Sequence, residues 1–181
     1  MPTPPPLTRA HVRLLGLAQA APTPPPDAES ALSAVVVEPH ARRALIRQLY
    51  LTGRAQWGVT FGERIGETLH VHHAAPHGPR WAEPPPQPYA YDTRYLLGYV
   101  DALVAEHGGR IDWQGVWRVA PDSRSPDLRE VLAWVGAAAG QGLCDDRSPL
   151  LTAGWLEGSL SVRAYHLQDD EPLELPVLVL R

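Results

Sequence analysis

Three histidines stand close together at His70, His72 and His73, and they form the densest group of potential metal ligands in the chain. If this segment is a strand, its side chains alternate between two faces, so His70 and His72 lie together and His73 points to the opposite face. Two imidazoles on one face hold a zinc ion when a third ligand joins them. The alternative is that these histidines line a solvated face of a sheet.

A zinc site built on this pair needs a carboxylate from elsewhere in the chain. Asp127 is the candidate third ligand of a set with His70 and His72, and Glu63 or Glu67 is the candidate general base. A zinc ion with three protein ligands and an open position lowers the pKa of a bound water, which then attacks a carbonyl. One hypothesis is therefore a zinc-dependent hydrolase.

Other catalytic groups are scarce. The chain has one cysteine, Cys144, so it forms no internal disulfide and no zinc cage of cysteines, and we expect a free thiol without a role. It contains no lysine, so it offers no side-chain amine for Schiff-base chemistry and no lysine of a phosphate-binding loop. Nucleophilic and phosphate-loop enzymes thus have little support.

Charge and hydropathy exclude further classes. Sixteen basic residues against twenty acidic ones give a net charge of −4, whereas a nucleic-acid-binding protein needs a basic face. No apolar run reaches the length of about 18 residues that a bilayer-spanning helix requires. We therefore expect a cytoplasmic protein that binds neither nucleic acid nor membranes.

Hydrophobic periodicity and turn residues predict the elements that would position these groups. The predicted helices cover residues 39–53, 92–108 and 125–140, and the predicted strands cover residues 33–37, 57–65, 68–75, 111–119, 150–156, 159–167 and 174–180. Strands outnumber those of a strict βαβ repeat, so the predicted class is α/β (α+β), with a mixed β-sheet covered by about three helices.

Proline marks two segments outside this pattern. Residues 1–30 read as a proline-rich N-terminal arm with a short helix between 7 and 20, and residues 31–181 as a single domain. The arm is either a tail or a segment that docks on the domain or on a second chain, so a homodimer is one expectation. Residues 76–91 form a long proline-rich loop.

Aromatic residues are the candidate contacts with a partner, because Trp and Tyr are favoured anchors at protein interfaces. Trp81 and Tyr89 lie in the proline-rich loop, and Trp117 lies in a predicted strand. We expect these three to contribute to binding.

Three local patterns accompany the order of elements. Gly58 and Gly62 open the strand after the first helix, and the strand that follows ends in Ala75-Pro76. Gly115 and Pro121 bracket the end of a central strand, and Asp127 begins the next helix. The segments read Ala55-Gln56-Trp57-Gly58-Val59-Thr60-Phe61-Gly62 and Gly115-Val116-Trp117-Arg118-Val119-Ala120-Pro121.

With the order of elements, these patterns resemble the MPN domain family, also called JAB or JAMM, over residues 31–167. The resemblance implies a cytidine-deaminase-like, MPN-type architecture. Active members of that family hold zinc and remove ubiquitin or ubiquitin-like proteins, or trim small sulfur-carrier proteins. Inactive members pair with active ones or scaffold large assemblies.

The resemblance places the family's catalytic Glu on Ala55 and its two zinc-binding histidines on Arg118 and Ala120, and only Asp127 keeps a ligand. A guanidinium stays protonated and cannot ligate zinc, and alanine offers no donor. The resemblance therefore implies a catalytically inactive, metal-free MPN/JAB-like domain that acts as a protein–protein interaction or scaffold module. Arg118 would pair with Asp127 in place of the metal.

This interpretation implies no cofactor and a protein partner, either an active MPN/JAB protein or a ubiquitin-like protein. The alternative is a zinc-dependent metallopeptidase or isopeptidase with the displaced ligands His70, His72 and Asp127.

Overall fold

The computed structural model describes residues 7–17, 31–51, 53–79, 87–169 and 171–181. It contains helices α1 (Arg9–Leu14), α2 (Pro39–Leu49), α3 (Thr93–His107) and α4 (Leu128–Ala139). Its strands are β1 (Ala34–Val37), β2 (Gln56–Ile65), β3 (Thr68–Pro76), β4 (Asp112–Arg124), β5 (Leu150–Leu156), β6 (Ser159–Gln168), β7 (Glu171–Leu175) and β8 (Val177–Val179). The chain is thus a mixed α/β domain, as the sequence predicts.

The helices begin and end where side chains satisfy their free backbone groups. Pro39 occupies the first turn of α2, where a missing N–H costs no hydrogen bond. The side chain of Asp92 accepts a hydrogen bond from the backbone N–H of Tyr95 at the start of α3, and Gly108, with φ of 63°, ends that helix. Asp127 caps α4 in the same way as Asp92 caps α3.

All eight strands belong to one mixed sheet in the order β7-β6-β5-β4-β2-β3-β1-β8. The pairs β1–β3, β1–β8 and β4–β5 are parallel, and the other pairs are antiparallel. The two strands at opposite ends of this order, β7 and β8, are separated in the chain by Pro176 alone. The sheet therefore curves until its two edges are bridged by one continuous segment.

The terminal segment is one strand in the sequence prediction and two in the structure. Proline has no N–H to donate to a ladder, so Pro176 interrupts the pairing. The segment pairs with β6 before this residue and with β1 after it.

The sheet separates two hydrophobic cores. One core lies between the sheet and helices α1, α3 and α4, and it contains Trp57, Phe61 and Trp113. The other lies between the sheet and α2, and it contains Val71 and Trp117. Successive residues of β4 alternate between them, because strand side chains alternate between faces.

The short helix predicted in the arm is present as α1, in addition to the three predicted covering helices. Its Ala10 and Leu14 are buried in the first core. Both carboxylate oxygens of Asp112 accept hydrogen bonds from the first turn of α1, at 2.7 and 2.9 Å from the backbone N atoms of Arg9 and Ala10. The arm therefore docks on the domain over residues 7–17, and residues 18–30 lie outside the described residues.

Among the parts of the chain that the structure describes, no helix combines the length and apolar character needed to cross a bilayer.

Candidate functional site

The antiparallel pairing of β2 with β4 brings Ala55, Arg118 and Ala120, three of the four positions singled out by the resemblance, onto adjacent segments. Gln56 pairs with Val119 and Trp57 pairs with Arg118. Continuing this register by one residue places Ala55, which precedes β2, opposite Ala120. Sequence reasoning thus identified residues that are neighbours in the folded chain.

Arg118 fills this place with a cation that rests on aromatic rings. Its guanidinium carbon lies 4.5 Å from the centre of the Trp134 ring and 5.4 Å from that of the Tyr89 ring. Both distances are within the range of attractive cation–π contacts. Arg118 projects from the central strand β4, Trp134 from helix α4, and Tyr89 from the end of the proline-rich loop, so three elements converge on one charge. We call these three residues the Arg118 site.

Tyr89 is held in an unusual conformation. Its φ of 64° lies in the left-handed region, which is uncommon for a bulky residue. Its side chain is 2 % exposed, and its hydroxyl donates a hydrogen bond to the backbone oxygen of Trp134 over 3.1 Å. Burial raises the pKa of Tyr89, and the nearby Arg118 guanidinium opposes part of that rise. The phenol is therefore neutral and serves as a fixed wall.

Asp127 does not join Arg118, which corrects the predicted ion pair. Its carboxylate accepts a hydrogen bond from the backbone N–H of Glu130 at 2.8 Å, and the Glu130 carboxylate accepts one from the N–H of Asp127 at 3.1 Å. This reciprocal arrangement is a capping box, which satisfies two free donors of the helix. No ion pair of the described residues includes Arg118. Asp127 is therefore a helix cap.

The donor set at this place does not fit a zinc ion. Ala55 and Ala120 supply no ligand atoms, Arg118 supplies only N–H donors, and the one carboxylate, on Asp127, is engaged at the helix start. A cavity beside Tyr89, lined by Trp57, Gly58, Val59, Tyr89, Tyr91 and Val116, leaves no room for a water molecule, and Arg118 is not among its lining residues. The side chains around Arg118 do not supply the three protein ligands that a catalytic zinc ion needs.

The alternative ligands are not assembled either. The Nδ1 atom of His70 lies 3.0 Å from a carboxylate oxygen of Glu38, and the Nε2 atom of His72 lies 3.4 Å from one of Glu63. Within the described ranges, no group of three His, Cys, Asp or Glu residues is positioned to hold a metal ion. The proposed set of His70, His72 and Asp127 is therefore not brought together, because each of its members has a different partner.

A β-bulge also changes the predicted faces of β3. Phe61 pairs with His73 and Gly62 pairs with Val71, so the register skips His72. A bulge of this kind interrupts the two-residue alternation of a strand. His72 and His73 are both partly exposed, whereas Val71 is buried. The expectation that His73 lies opposite His72 therefore fails at the bulge.

His73 instead joins histidines that are distant in the sequence. Its ring centre lies 4.7 Å from that of His40 in α2 and 6.1 Å from that of His107 in α3. The hydroxyl of Tyr99 is 3.3 Å from its Nδ1 atom. Burial, followed by the like charges of His40 and His107, lowers the pKa of His73 to about 4. We call His40, His73 and His107 the histidine cluster, which periodicity could not reveal because its members come from three elements.

Two of the three predicted partner contacts are buried. Tyr89 is a wall of the Arg118 site, and Trp117 is 0 % exposed, with its Nε1 donating a hydrogen bond to the backbone oxygen of Ala75 at 2.9 Å. Neither side chain reaches the surface, because the domain uses large aromatic residues to fill its two cores. Trp81 lies outside the described residues.

The exposed aromatic surface lies elsewhere, at the end of α2. Tyr50 is 72 % exposed, and its ring centre lies 6.0 Å from that of Trp155 at the end of β5. Leu51, which follows Tyr50 in the chain, is also exposed. We call Tyr50, Leu51 and Trp155 the Tyr50–Trp155 patch. Sequence reasoning missed it because Tyr50 and Trp155 are 105 residues apart in the chain.

Cys144 is buried, and its burial raises the pKa of the thiol to about 12. The thiolate is the nucleophilic form of cysteine, so this residue is chemically inert at neutral pH.

Comparison with known proteins adds to the description of the fold. No family model matches the chain, and no curated protein matches it significantly. A similar solved structure is that of protein DSY2949 from Desulfitobacterium hafniense, a structural genomics target studied in solution. The TM-score is 0.56 at 14 % identity, and the match covers 81 % of this chain and 92 % of that chain. At this identity, the likeness concerns the fold alone.

Proposed function

We propose that this chain is a catalytically inactive, metal-free domain of the MPN/JAB type that acts as a protein–protein interaction or scaffold module. The observation that carries the proposal is the Arg118 site. A permanent cation, held between two aromatic rings, occupies the place where the resemblance expects zinc ligands. A positive side chain repels a metal cation, so this place favours binding over hydrolysis.

The Tyr50–Trp155 patch supports the binding part of the proposal. Large apolar side chains that cluster on a surface are typical of sites where another protein binds. The centres of its two aromatic rings are 6.0 Å apart, and the exposed Leu51 follows Tyr50 in the chain. The partner that the family resemblance suggests is an active MPN/JAB protein or a ubiquitin-like protein, and we propose that it covers this patch.

Metal analysis tests the catalytic part. The chain purified from zinc-supplemented medium is expected to retain no stoichiometric zinc and to leave a C-terminally extended ubiquitin-like protein uncut. The matched control is the triple variant Ala55→Glu, Arg118→His, Ala120→His, which restores the donors of the family pattern and is expected to gain zinc. Stoichiometric zinc in the unaltered chain, together with hydrolysis that a chelator abolishes, would overturn the proposal.

Site-specific photo-crosslinking tests the binding part. A photoreactive residue at position 50 is compared with one at position 65, because Tyr50 and Ile65 are both exposed, at 72 % and 58 %, but Ile65 lies at the β2–β3 turn outside the patch. Adducts with an MPN/JAB or ubiquitin-like protein are expected from position 50 only, and the substitution Trp155→Ser should remove them. Identical adducts from both positions, or adducts with a second copy alone, would reject this partner.

A further inference from the structure

The Arg118 guanidinium has no counter-charge in the described part of the chain. It forms no ion pair, and the two acidic residues at the start of α4, Asp127 and Glu130, are engaged with each other. Arg118 is only partly exposed to solvent. A cation removed from water is costly unless an anion or hydrogen-bond acceptors compensate it, and aromatic faces compensate it only in part.

One hydrogen-bond donor of the same guanidinium is unused, although the group also forms a hydrogen bond with the Tyr89 side chain. The Nε atom of Arg118 is buried and has no hydrogen-bond partner. A guanidinium presents N–H donors in a planar fork that matches the two oxygens of a carboxylate. The Arg118 guanidinium has an unused donor and no counter-ion, so it can form a bidentate ion pair with a carboxylate that comes from outside the described chain.

The residues around Arg118 fix the position of its guanidinium before a ligand binds. Tyr89 is locked by its left-handed backbone and by the hydrogen bond of its hydroxyl to Trp134. Arg118 itself extends from the central strand β4. A polar group that is fixed in advance loses little conformational entropy on binding, so the arrangement is suited to recognition.

Bulky rings surround Arg118, which favours a slim ligand. Trp57 is its partner on β2, and the rings of Tyr89 and Trp134 contact its guanidinium. One cation balances one carboxylate, whereas a phosphate dianion would need a second positive group for full compensation. The chemistry at this site therefore matches a single carboxylate carried by a narrow peptide segment.

We propose that Arg118, with Tyr89 and Trp134 as its walls, is a carboxylate-binding site that recognises a peptide segment of the partner. This inference rests on the proposed function, because it assumes that the place expected to hold zinc still receives a protein ligand. The carboxylate comes from a chain terminus or from an acidic side chain.

The test is a titration with short peptides, followed through the indole signals of Trp134 in NMR spectra. The probes are acetyl-Ala-Ala-Gly-Gly with a free terminal carboxylate, the same peptide as its C-terminal amide, and the amide peptide with Glu in place of one Ala. Binding of the free acid at least about tenfold tighter than the plain amide is expected. If the Glu peptide equals the acid, the source is a side chain. If only the acid binds tightly, the source is a chain terminus.

Three variants show whether Arg118 causes the preference. The substitution Arg118→Gln should abolish the difference between acid and amide, and Arg118→Lys should weaken it, because lysine keeps the charge but loses the fork. The matched control Arg110→Gln removes an exposed arginine before β4 and should leave the difference unchanged. If Arg118→Gln fails to fold, as thermal melting would reveal, Arg118→Lys carries the test alone.

The proposal is overturned if acid and amide bind equally, if the acid shows no saturation up to about 10 mM, or if the Arg118 variants keep the preference. These failures leave the proposed function standing, because a partner would then bind through the Tyr50–Trp155 patch alone. Conversely, zinc-dependent hydrolysis would reject the proposed function and leave carboxylate binding at Arg118 to be judged by these titrations.

Discussion

The Arg118 site and the histidine cluster differ in the charge of their nitrogen-containing side chains and in the groups that surround them. At the Arg118 site, a permanent cation rests on aromatic rings and has no acidic partner among the residues that the structure describes. At the histidine cluster, three titratable rings lie against one another, and burial with mutual repulsion keeps His73 neutral. The place that resembles a zinc site thus lacks donors for zinc, and the place that is rich in donors does not arrange them around a metal.

This contrast shows that residue type and residue position give different information. Histidine-rich sequence indicates potential ligands, but partners from α2 and α3 determine what each imidazole does. The arginine contributes no ligand, and its position in the central strand gives it a defined role. Four predictions test whether the two regions differ as described.

The largest effect is expected from Trp117, the neighbour of Arg118 in β4. Its ring lies in the second core, so Trp117→Ala should cost about 3–5 kcal/mol of the free energy of unfolding, measured by chemical denaturation. The control Tyr50→Ala removes an exposed ring and should cost about 0.5 kcal/mol or less. Equal losses for both variants would show that Trp117 is not a core residue. Trp117 and Arg118 would then not lie on opposite faces of β4 as described.

The second prediction concerns two glycines of β2, one beside each region. A Cβ atom at Gly58 would collide with the backbone oxygen of Ala75 and with the Trp117 ring, and one at Gly62 would collide with the backbone oxygen of His70. Each substitution to alanine should therefore cost about 1–3 kcal/mol or more, measured by thermal and chemical unfolding.

The control for both glycines is Gly98→Ala in α3, where a Cβ meets open space. Alanine is the better helix former, so this variant should gain about 0.5–1 kcal/mol. A stable Gly58→Ala or Gly62→Ala variant would contradict the close approach of β2 to β3.

The third prediction is a pH dependence that belongs to the histidine cluster. The pKa of His73 is about 4 in the folded chain and about 6.5 when unfolded, so the unfolded state binds the proton more tightly. The contribution of neutral His73 to the free energy of unfolding is fully present above pH 6.5. It decreases as the pH falls toward 4, by about 1–2 kcal/mol after allowance for the partial exposure of the ring. The charged groups that face His73 are His40, His107, His72 and Glu106.

Unfolding measured at several pH values should show this loss in the unaltered chain and a smaller loss in His73→Gln. In an NMR titration, His40→Gln should raise the pKa of His73, because one like charge is removed. An unchanged pKa in that variant would mean that the two rings do not interact as the structure places them.

The smallest effect is expected at Asp127. Removing the cap with Asp127→Ala should cost about 1 kcal/mol, and Asp127→Asn, which also caps helices, should cost a few tenths. Thermal melting with and without added zinc gives the measurement. If zinc stabilised the chain and Asp127→Asn removed that effect, Asp127 would be a ligand and the contrast between the two regions would be lost.

Much of the fold was predictable because local signals decide local structure. Ser125-Pro126-Asp127 predicted a helix near α4, although Asp127 is its cap and the helix begins at Leu128 rather than at 125. The Gly66 and Gly158 turns predicted two hairpins. The alternation along β3 failed at His72, because a bulge depends on pairing with another strand. The prediction that Trp117 and Tyr89 contact a partner was wrong for a similar reason, because burial depends on which segments pack against a residue.

The sequence alone determined the class of the domain, most of the order of its helices and strands, and the lack of zinc-ligating side chains at Ala55, Arg118 and Ala120. These features depend on residue types and on spacings of a few residues, which are written directly in the chain. Only the tertiary structure decided that Pro176 bridges the two edges of the sheet, that Tyr89 and Trp134 enclose Arg118, and that His40 and His107 surround His73. Such contacts join segments that are far apart in sequence, and they form only when burial of the two cores brings those segments together.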